Sequence, residues 1–124
     1  MVQPIRVLVA DDSARTRDGL RVLFATCPQV TVVGEAPDGQ EALRLVALLR
    51  PDVVLLDLHM PLLDGFQVAQ CIKQRWPEIL VVVLTVYAAE QSAALAAGAD
   101  AFVIKGTSPE RLLSAIGVLN GVEP

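Results

Sequence analysis

The sequence predicts an α/β protein built around one doubly wound, parallel β-sheet. Short apolar runs of four to seven residues alternate along the chain with longer segments in which apolar residues recur at helical spacing. Hydrophobic residues make up 53% of the 124 residues, as is typical of a sheet that helices cover on both faces. Five strands that alternate with five helices give this architecture, because right-handed crossovers place helices on both sides of the sheet.

The first half of the chain contains three of these strands and two helices. The first helix begins after Ser13, a good N-cap, and Pro28 stops it. Asp38 and Glu41 have the spacing of a capping box at the start of the second helix, which ends before Pro51. The predicted bounds are 5–10 (strand), 13–26 (helix), 30–36 (strand), 38–49 (helix) and 53–57 (strand).

The second half supplies two further strands, a third helix and a last helix. The last helix begins at Ser108, Pro109 and Glu110, where an N-cap, a proline at the first position and an early acid agree. The predicted bounds are 66–75 (helix), 79–85 (strand), 101–104 (strand) and 108 to about 120–121 (helix).

Polar residues stand where four of the predicted strands end. They are Asp11, Asp12, Asp57, Thr85 and Lys105. Parallel strands finish at the same edge of a sheet, and ligands of doubly wound sheets bind beyond that edge. Each residue has a plain structural explanation when taken singly; Asp12 or Ser13, for example, could simply cap the first helix. Together, three carboxylates, a hydroxyl and an ammonium form a charge-balanced pocket suited to one divalent cation and one oxyanion.

The residue types in this pocket indicate phosphoryl chemistry. Acidic oxygens select magnesium-like ions, which keep several waters and accept one or two carboxylates plus phosphate oxygens. A carboxylate is a competent nucleophile toward phosphorus and gives an aspartyl phosphate. Lysine, as a point charge, and threonine, as a hydrogen-bond donor, can contact the remaining phosphoryl oxygens. The added charge of about −1.5 to −2 can then reposition nearby groups and the helices attached to them.

The motifs around the strand ends occur in a recognisable order. ADD follows the first strand, LLDLHMPLLDG spans the end of the third, LT ends the fourth and FVIK ends the fifth. They resemble the response-regulator receiver domain of two-component signalling, in the CheY-like superfamily. The resemblance covers nearly the whole chain and implies a flavodoxin-like sheet in the order 2-1-3-4-5. VTVVGEAPDGQEAL and RPDVVLLDLHMPLLDG are most similar to receivers attached to helix-turn-helix DNA-binding domains of the NarL/LuxR type.

The resemblance implies a role for each acid. Asp57 would be the phosphoacceptor, and Mg²⁺ would be the cofactor. Asp12 would bind the ion directly and Asp11 mainly through water, while the backbone carbonyl of His59 would complete the protein ligands around Asp57.

The resemblance also implies how the signal leaves the site. Thr85 and Lys105 would hold the phosphoryl group, and Phe102 matches the aromatic switch residue that turns inward when the threonine moves. Pro61 and Gly65 match the turn after the phosphoacceptor; proline fixes φ, and glycine tolerates what other residues cannot. The expected output surface comprises the fourth helix, the fifth strand and the fifth helix.

Four features depart from the family pattern, and three of them concern individual residues: Gly106, Val86, and the pair His59 and Tyr87. Gly106 follows the lysine where many receivers have proline, so a cis peptide should not be assumed there. Val86 follows the threonine where many receivers have a smaller residue, and it could crowd access to the site. His59 and Tyr87 occupy variable positions that tune self-dephosphorylation in the family. The His59 ring could order water or accept a proton; alternatively, it is an exposed side chain whose backbone carbonyl alone matters.

The fourth departure is the segment YAAEQSAALAAG. Between Thr85 and Gly98 the chain is a residue or two shorter than in most receivers, alanine-rich, and has a single charge in this segment. The fourth helix is therefore expected to be short. We hypothesise that switching involves a remodelled or mobile fourth helix; the alternative is an ordinary helix that lacks part of its first turn.

The expected function is that of a phosphorylation-controlled signalling switch and not of a metabolic enzyme. A sensor histidine kinase would supply the phosphoryl group to a receiver at residues 1–121, with 122–124 starting a linker. The resemblance further implies a helix-turn-helix output domain beyond this chain, which acts in transcription, and a homodimer formed on phosphorylation.

The formal net charge of −4 argues against nucleic-acid binding by these residues themselves. No apolar run approaches the roughly 20 residues of a membrane span, and no secretory signal stands at the start, so we expect a cytoplasmic location without membrane contact.

Other functions fit the sequence less well. A stand-alone receiver that acts through protein contacts is the nearest alternative. A metal-dependent phosphohydrolase with an aspartate nucleophile would want a second acid where His59 stands. A flavodoxin-like cofactor binder would want serine, threonine and glycine where the acidic ADDSAR stands. A degenerate receiver would lack part of the acid, threonine and lysine set.

Overall fold

The computed structural model describes residues 3–118 and contains one fully parallel, five-stranded sheet. The strands are β1 (Ile5–Ala10), β2 (Val30–Ala36), β3 (Val53–Leu56), β4 (Leu80–Thr85) and β5 (Ala101–Ile104). The helices are α1 (Ala14–Ala25), α2 (Gly39–Leu49), α3 (Gly65–Arg75), α4 (Gln91–Ala96) and α5 (Pro109–Ala115). The strand order β2-β1-β3-β4-β5 confirms the predicted doubly wound fold.

The observed element bounds differ from the predicted ones mainly at strand and helix ends. β3 ends at Leu56, so Asp57 lies just beyond the strand and not within it. β4 begins at Leu80, one position later than predicted. α5 ends at Ala115 and is followed by Gly117 with φ 103°. This is earlier than predicted, and the predicted end at 120–121 lies outside the described residues.

Apolar side chains on the two faces of the sheet form two separate cores. Successive side chains of a strand point to opposite faces, so Leu8 and Val83 pack on the side of α2, α3 and α4. Val7 and Leu84 pack on the other face, against α1 and α5. Burial of each such side chain contributes about 1.5–3 kcal/mol to the free energy of folding. Because helices are packed on both faces in this way, the strands and the residues at their ends are held in fixed positions.

Side-chain caps fix where α2 and α3 begin. Asp38 accepts the Glu41 N–H at 2.8 Å, as predicted for the first half of a capping box. The predicted second half does not form, because the Glu41 carboxylate binds the guanidinium of Arg44 instead. A complete capping box stands at α3, where Asp64 accepts the Gln67 N–H and the Gln67 side chain accepts the Asp64 N–H.

The fourth helix is short, as predicted. A 3₁₀ turn at Ala88–Glu90 leads directly into α4, which has six residues. Ala94 is its buried side chain, and Leu95 is exposed. Among residues 3–118, no helix combines the length and the apolar composition needed to cross a membrane.

Candidate functional site

Backbone hydrogen bonds bring the ends of five strands together at the carboxyl edge of the sheet. The Asp11 N–H donates to a carbonyl of β2, and the Asp57 N–H donates to a carbonyl of β1, both at 2.9 Å. The Lys105 N–H donates to the Thr85 carbonyl at 2.8 Å. These bonds extend the strand pairing just past the strand ends. Side chains that are far apart in the sequence therefore share one edge, as the sequence predicted.

Asp11, Asp12 and Asp57 form a cluster of carboxylates. One oxygen from each lies within 4.8 Å of the others. Asp11 and Asp57 are only 2% and 6% exposed, whereas Asp12 faces solvent. Ser13, and not Asp12, caps α1 by accepting the Thr16 N–H at 3.2 Å. Oxygen donors with one side open to solvent fit a magnesium-sized cation that retains several waters.

Lys105 partly balances the negative charge of this cluster. Its Nζ lies 2.8 Å from Oδ2 of Asp11 and 4.0 Å from Oδ2 of Asp57. Oδ1 of Asp11 also accepts the Ser13 N–H at 2.9 Å. Asp57 accepts a longer bond, 3.3 Å, from the His59 N–H. Asp11 is therefore held more firmly by its neighbours than Asp57 is.

The surroundings of Asp57 disfavour its charged form. Burial raises the pKa of this carboxyl above its usual value, and the negative charge of Asp11 raises it further. Lys105 and the His59 N–H lower the pKa but do not cancel the effect of burial, and Asp12 adds to the rise. A bound cation, or a bond formed by a carboxylate oxygen, would relieve this unfavourable charge.

A hydrogen-bonded cluster joins Thr85 to the start of α4 through Glu90, a residue that the sequence analysis did not assign. Oγ1 of Thr85 donates to Oε1 of Glu90 at 3.4 Å and accepts the Tyr87 N–H at 3.3 Å. Nε2 of His59 lies 2.9 and 2.8 Å from the two carboxylate oxygens of Glu90. The His59 ring also meets Tyr87 edge-on, with ring centroids 5.1 Å apart. The signal in the sequence was that Glu90 is the single charge of the alanine-rich segment.

Gly65 lies against the backbone that carries Asp57. Its N–H donates to the Leu58 carbonyl at 2.9 Å. A Cβ at position 65 would overlap the Asp57 carbonyl oxygen and would lie 2.6 Å from the Leu58 Cα. Gly65 is not among the glycines with positive φ. Close approach, and not an unusual backbone conformation, therefore requires glycine at this position.

Three other positions singled out in the sequence lie around the site. Val86 is 58% exposed, so its side chain lies at the surface beside Thr85. Gly106 has φ 90°, and no peptide bond among residues 3–118 is cis. Phe102 is partly buried and packs against the core on the side of α2, α3 and α4.

Comparison with known proteins identifies close similarities over nearly the whole chain. A family model described as the response regulator receiver domain matches residues 7–117. The chain is 42% identical over 119 residues to the uncharacterized transcriptional regulatory protein YhcZ of Bacillus subtilis, covering 94% of this chain and 56% of that protein. It is 35% identical over 116 residues to the nitrate/nitrite response regulator protein NarL of Escherichia coli K12, covering 92% and 54%.

A solved structure agrees with these matches. A LuxR-family two-component response regulator from Aurantimonas sp. superposes with a TM-score of 0.85 at 33% identity, covering 92% of this chain and 83% of that one. The chain spans about half the length of the two curated relatives.

Proposed function

The chain belongs to the response regulator receiver domain family, and from this premise we propose that it accepts a phosphoryl group on Asp57 in two-component signalling. The observation that carries the proposal is the arrangement at one sheet edge: three clustered carboxylates beside the ammonium of Lys105. The Thr85 hydroxyl stands at the end of the adjoining strand β4.

Asp57 is the best-suited nucleophile of the cluster. Its raised pKa makes its oxygens more basic than those of an ordinary aspartate, and it is less firmly bonded than Asp11. A carboxylate oxygen would attack phosphorus and form an O–P bond while the P–N bond to the phosphohistidine of a sensor kinase breaks. The electron pair of that bond leaves with the imidazole nitrogen. The product is an aspartyl phosphate on this chain.

The acid cluster would also hold a magnesium ion. Asp12 would contact the ion directly and Asp11 mainly through water, with Asp57 and the backbone carbonyl of His59 as further ligands. Clustered oxygen donors, one of them open to solvent, support this assignment. When bound, the ion supplies positive charge against which the phosphoryl oxygens are stabilised.

Lys105 and Thr85 would bind the phosphoryl oxygens. Nζ of Lys105 is already 4.0 Å from Asp57, so a modest movement from Asp11 would bring it into contact. The Thr85 hydroxyl would turn toward the phosphoryl group, and Phe102 would move further into the core behind it. This change would alter the surface of α4, β5 and α5, where output is expected.

The relatives support a proposal for the whole protein. We propose that residues 1–121 form the receiver and that 122–124 begin a linker to a helix-turn-helix output domain that acts in transcription. The chain spans about half of relatives described as a transcriptional regulatory protein and a response regulator. Catalysis by the receiver would be limited to its own phosphorylation and dephosphorylation, and a homodimer could form on phosphorylation.

A small-molecule phosphodonor tests the proposal without the cognate kinase. Incubation of the wild type with Mg²⁺ and an acyl phosphate should add one phosphate, stable in acid and labile in base, to the intact mass. The Asp57→Asn variant should gain none, while Asp18→Asn, a matched change at an exposed position of α1, should behave as the wild type. The proposal fails if the wild type gains no such phosphate or if Asp57→Asn gains the same one.

A further inference from the structure

We propose that Glu90 is a positioning residue that competes with the phosphoryl group for the Thr85 hydroxyl, and that the His59 ring holds Glu90 in place. The inference rests on the proposed phosphorylation of Asp57 and assigns a role to a residue outside the phosphoryl pocket. The unphosphorylated receiver would thus begin with its switch threonine already engaged by a carboxylate.

The competition follows from the donor capacity of threonine. A hydroxyl has one proton to donate, and in this structure Oγ1 of Thr85 donates it to Oε1 of Glu90 at 3.4 Å. The Tyr87 N–H occupies one acceptor site of the same oxygen at 3.3 Å. A phosphoryl oxygen can therefore receive this hydrogen bond only if Glu90 loses it.

His59 contacts both Glu90, through its ring, and the proposed phosphoacceptor Asp57, through its backbone N–H. Its Nε2 lies within 2.9 Å of both carboxylate oxygens of Glu90, and a carboxylate only accepts, so this nitrogen carries a proton. The backbone N–H of His59 donates to Oδ1 of Asp57 at 3.3 Å. One residue thus contacts both the acid that would be phosphorylated and the acid that holds Thr85.

The position of Glu90 links this contact to α4. Glu90 ends the 3₁₀ turn and directly precedes the helix, whose buried side chain is Ala94. Phosphorylation adds about −1.5 to −2 charge to the site, which disfavours a carboxylate bonded to the same threonine. Release of Glu90 would free the start of a helix that few buried side chains hold in place.

The proposal is tested with beryllofluoride, which mimics the phosphoryl group, in the presence of Mg²⁺. Glu90→Ala should bind beryllofluoride about two- to tenfold more tightly than the wild type in an NMR titration, the range expected for one competing hydrogen bond. Glu90→Gln keeps a side-chain oxygen that accepts the Thr85 hydrogen bond, so it should gain less. His59→Ala should shift the affinity in the same direction by less. The Thr85 methyl resonance should also move in free Glu90→Ala, because its neighbour is lost before any ligand is added.

Two controls separate a hydrogen bond from a general effect of charge. Glu78→Gln removes an exposed carboxylate at the opposite edge of the sheet and should leave the affinity unchanged. In a Thr85→Val background, which lacks the hydroxyl, Glu90→Ala should no longer tighten binding. The gain should also persist at high salt, where exposed charges are screened.

Three results would overturn the proposal. The first is wild-type affinity in Glu90→Ala, and the second is an undiminished gain in the Thr85→Val background. In both cases the wild type still binds beryllofluoride, so the proposed phosphorylation stands. If the wild type itself binds no beryllofluoride, the proposed function fails and the role of Glu90 fails with it.

Discussion

At the scale of single residues, Asp57 combines burial with neighbouring negative charge, and this combination has a measurable cost to folding. Its pKa is raised above the usual value in the folded protein. A carboxyl with a raised folded pKa contributes stability at low pH that is lost as pH rises through that pKa. At neutral pH the ionised Asp57 therefore destabilises the fold while it prepares the residue for its proposed function.

The Asp57→Asn variant should consequently be more stable than the wild type at neutral pH. We expect a gain of about 0.5–2 kcal/mol in the free energy of unfolding at pH 7, the usual size for a single stabilising substitution, because the variant removes a buried charge beside other negative charges. The gain should shrink as the pH falls toward about 4, because the raised pKa of Asp57 lets the folded wild type protonate this carboxyl and lose the unfavourable charge. Urea unfolding at the two pH values measures this, and equal stability of the two proteins at pH 7 would contradict it.

Magnesium should stabilise the wild type by relieving the same repulsion. At a concentration ten times its dissociation constant, a ligand of the folded state adds about 1.4 kcal/mol to the free energy of unfolding. Asp12→Ala should lose most of this gain, since Asp12 is the solvent-facing acid of the cluster. Thermal unfolding of the wild type and of Asp12→Ala in MgCl₂ measures this gain, and KCl of equal ionic strength is the control for a general effect of salt. A gain of the same size in both proteins would argue against a magnesium site here.

The site contains both residues that the sequence can predict and one that it cannot. The positions of the acids, Thr85 and Lys105 could be predicted because each stands at or just beyond the end of an apolar strand, and strand ends converge in a parallel sheet. Glu90 could not, because it lies in a short turn before α4 and its contact with His59 depends on how that turn folds. Local patterns do not encode such a contact.

At the scale of elements, helix caps and hydrophobic periodicity predicted where most helices and strands begin and end. They did not predict the end of α5. The apolar pattern continues past Ala115, which extended the predicted helix. In the structure the Val118 N–H donates to the Leu113 carbonyl and the Gly117 N–H to the Ser114 carbonyl. This is a Schellman motif, with Gly117 at positive φ, and it stops the helix while burying Val118.

The structure predicts that α4 is less stable than α3. α3 has a capping box and buries Val68, Ala69 and Ile72, whereas α4 buries Ala94 and has no side-chain cap. Amides of α4 should therefore exchange with solvent faster than those of α3, and beryllofluoride should change their exchange further. Hydrogen exchange measured by NMR or mass spectrometry tests this. Protection equal to that of α3, with and without beryllofluoride, would rule out a mobile fourth helix.

At the scale of the whole molecule, the fold was predictable because the hydrophobic pattern, the helix caps and the alternation of strands with helices all indicate the same structure. Short apolar runs become strands with both faces buried, and the two cores lie on opposite sides of one sheet. Asp11, Asp57 and Thr85 are therefore buried at the ends of well-packed strands, whereas α4 is held by one buried side chain, Ala94. Such a division suits a receiver, in which a fixed chemical site must move one surface.

The most direct measurement is to locate the phosphate by chemical trapping. After reaction with an acyl phosphate and Mg²⁺, borohydride reduces an aspartyl phosphate to homoserine, which tandem mass spectrometry can place in the sequence. The account predicts homoserine at position 57 in the wild type, no homoserine in Asp57→Asn, and much less in Lys105→Ala. Homoserine at another aspartate, or none in a wild type that is fully folded and supplied with Mg²⁺, would contradict it.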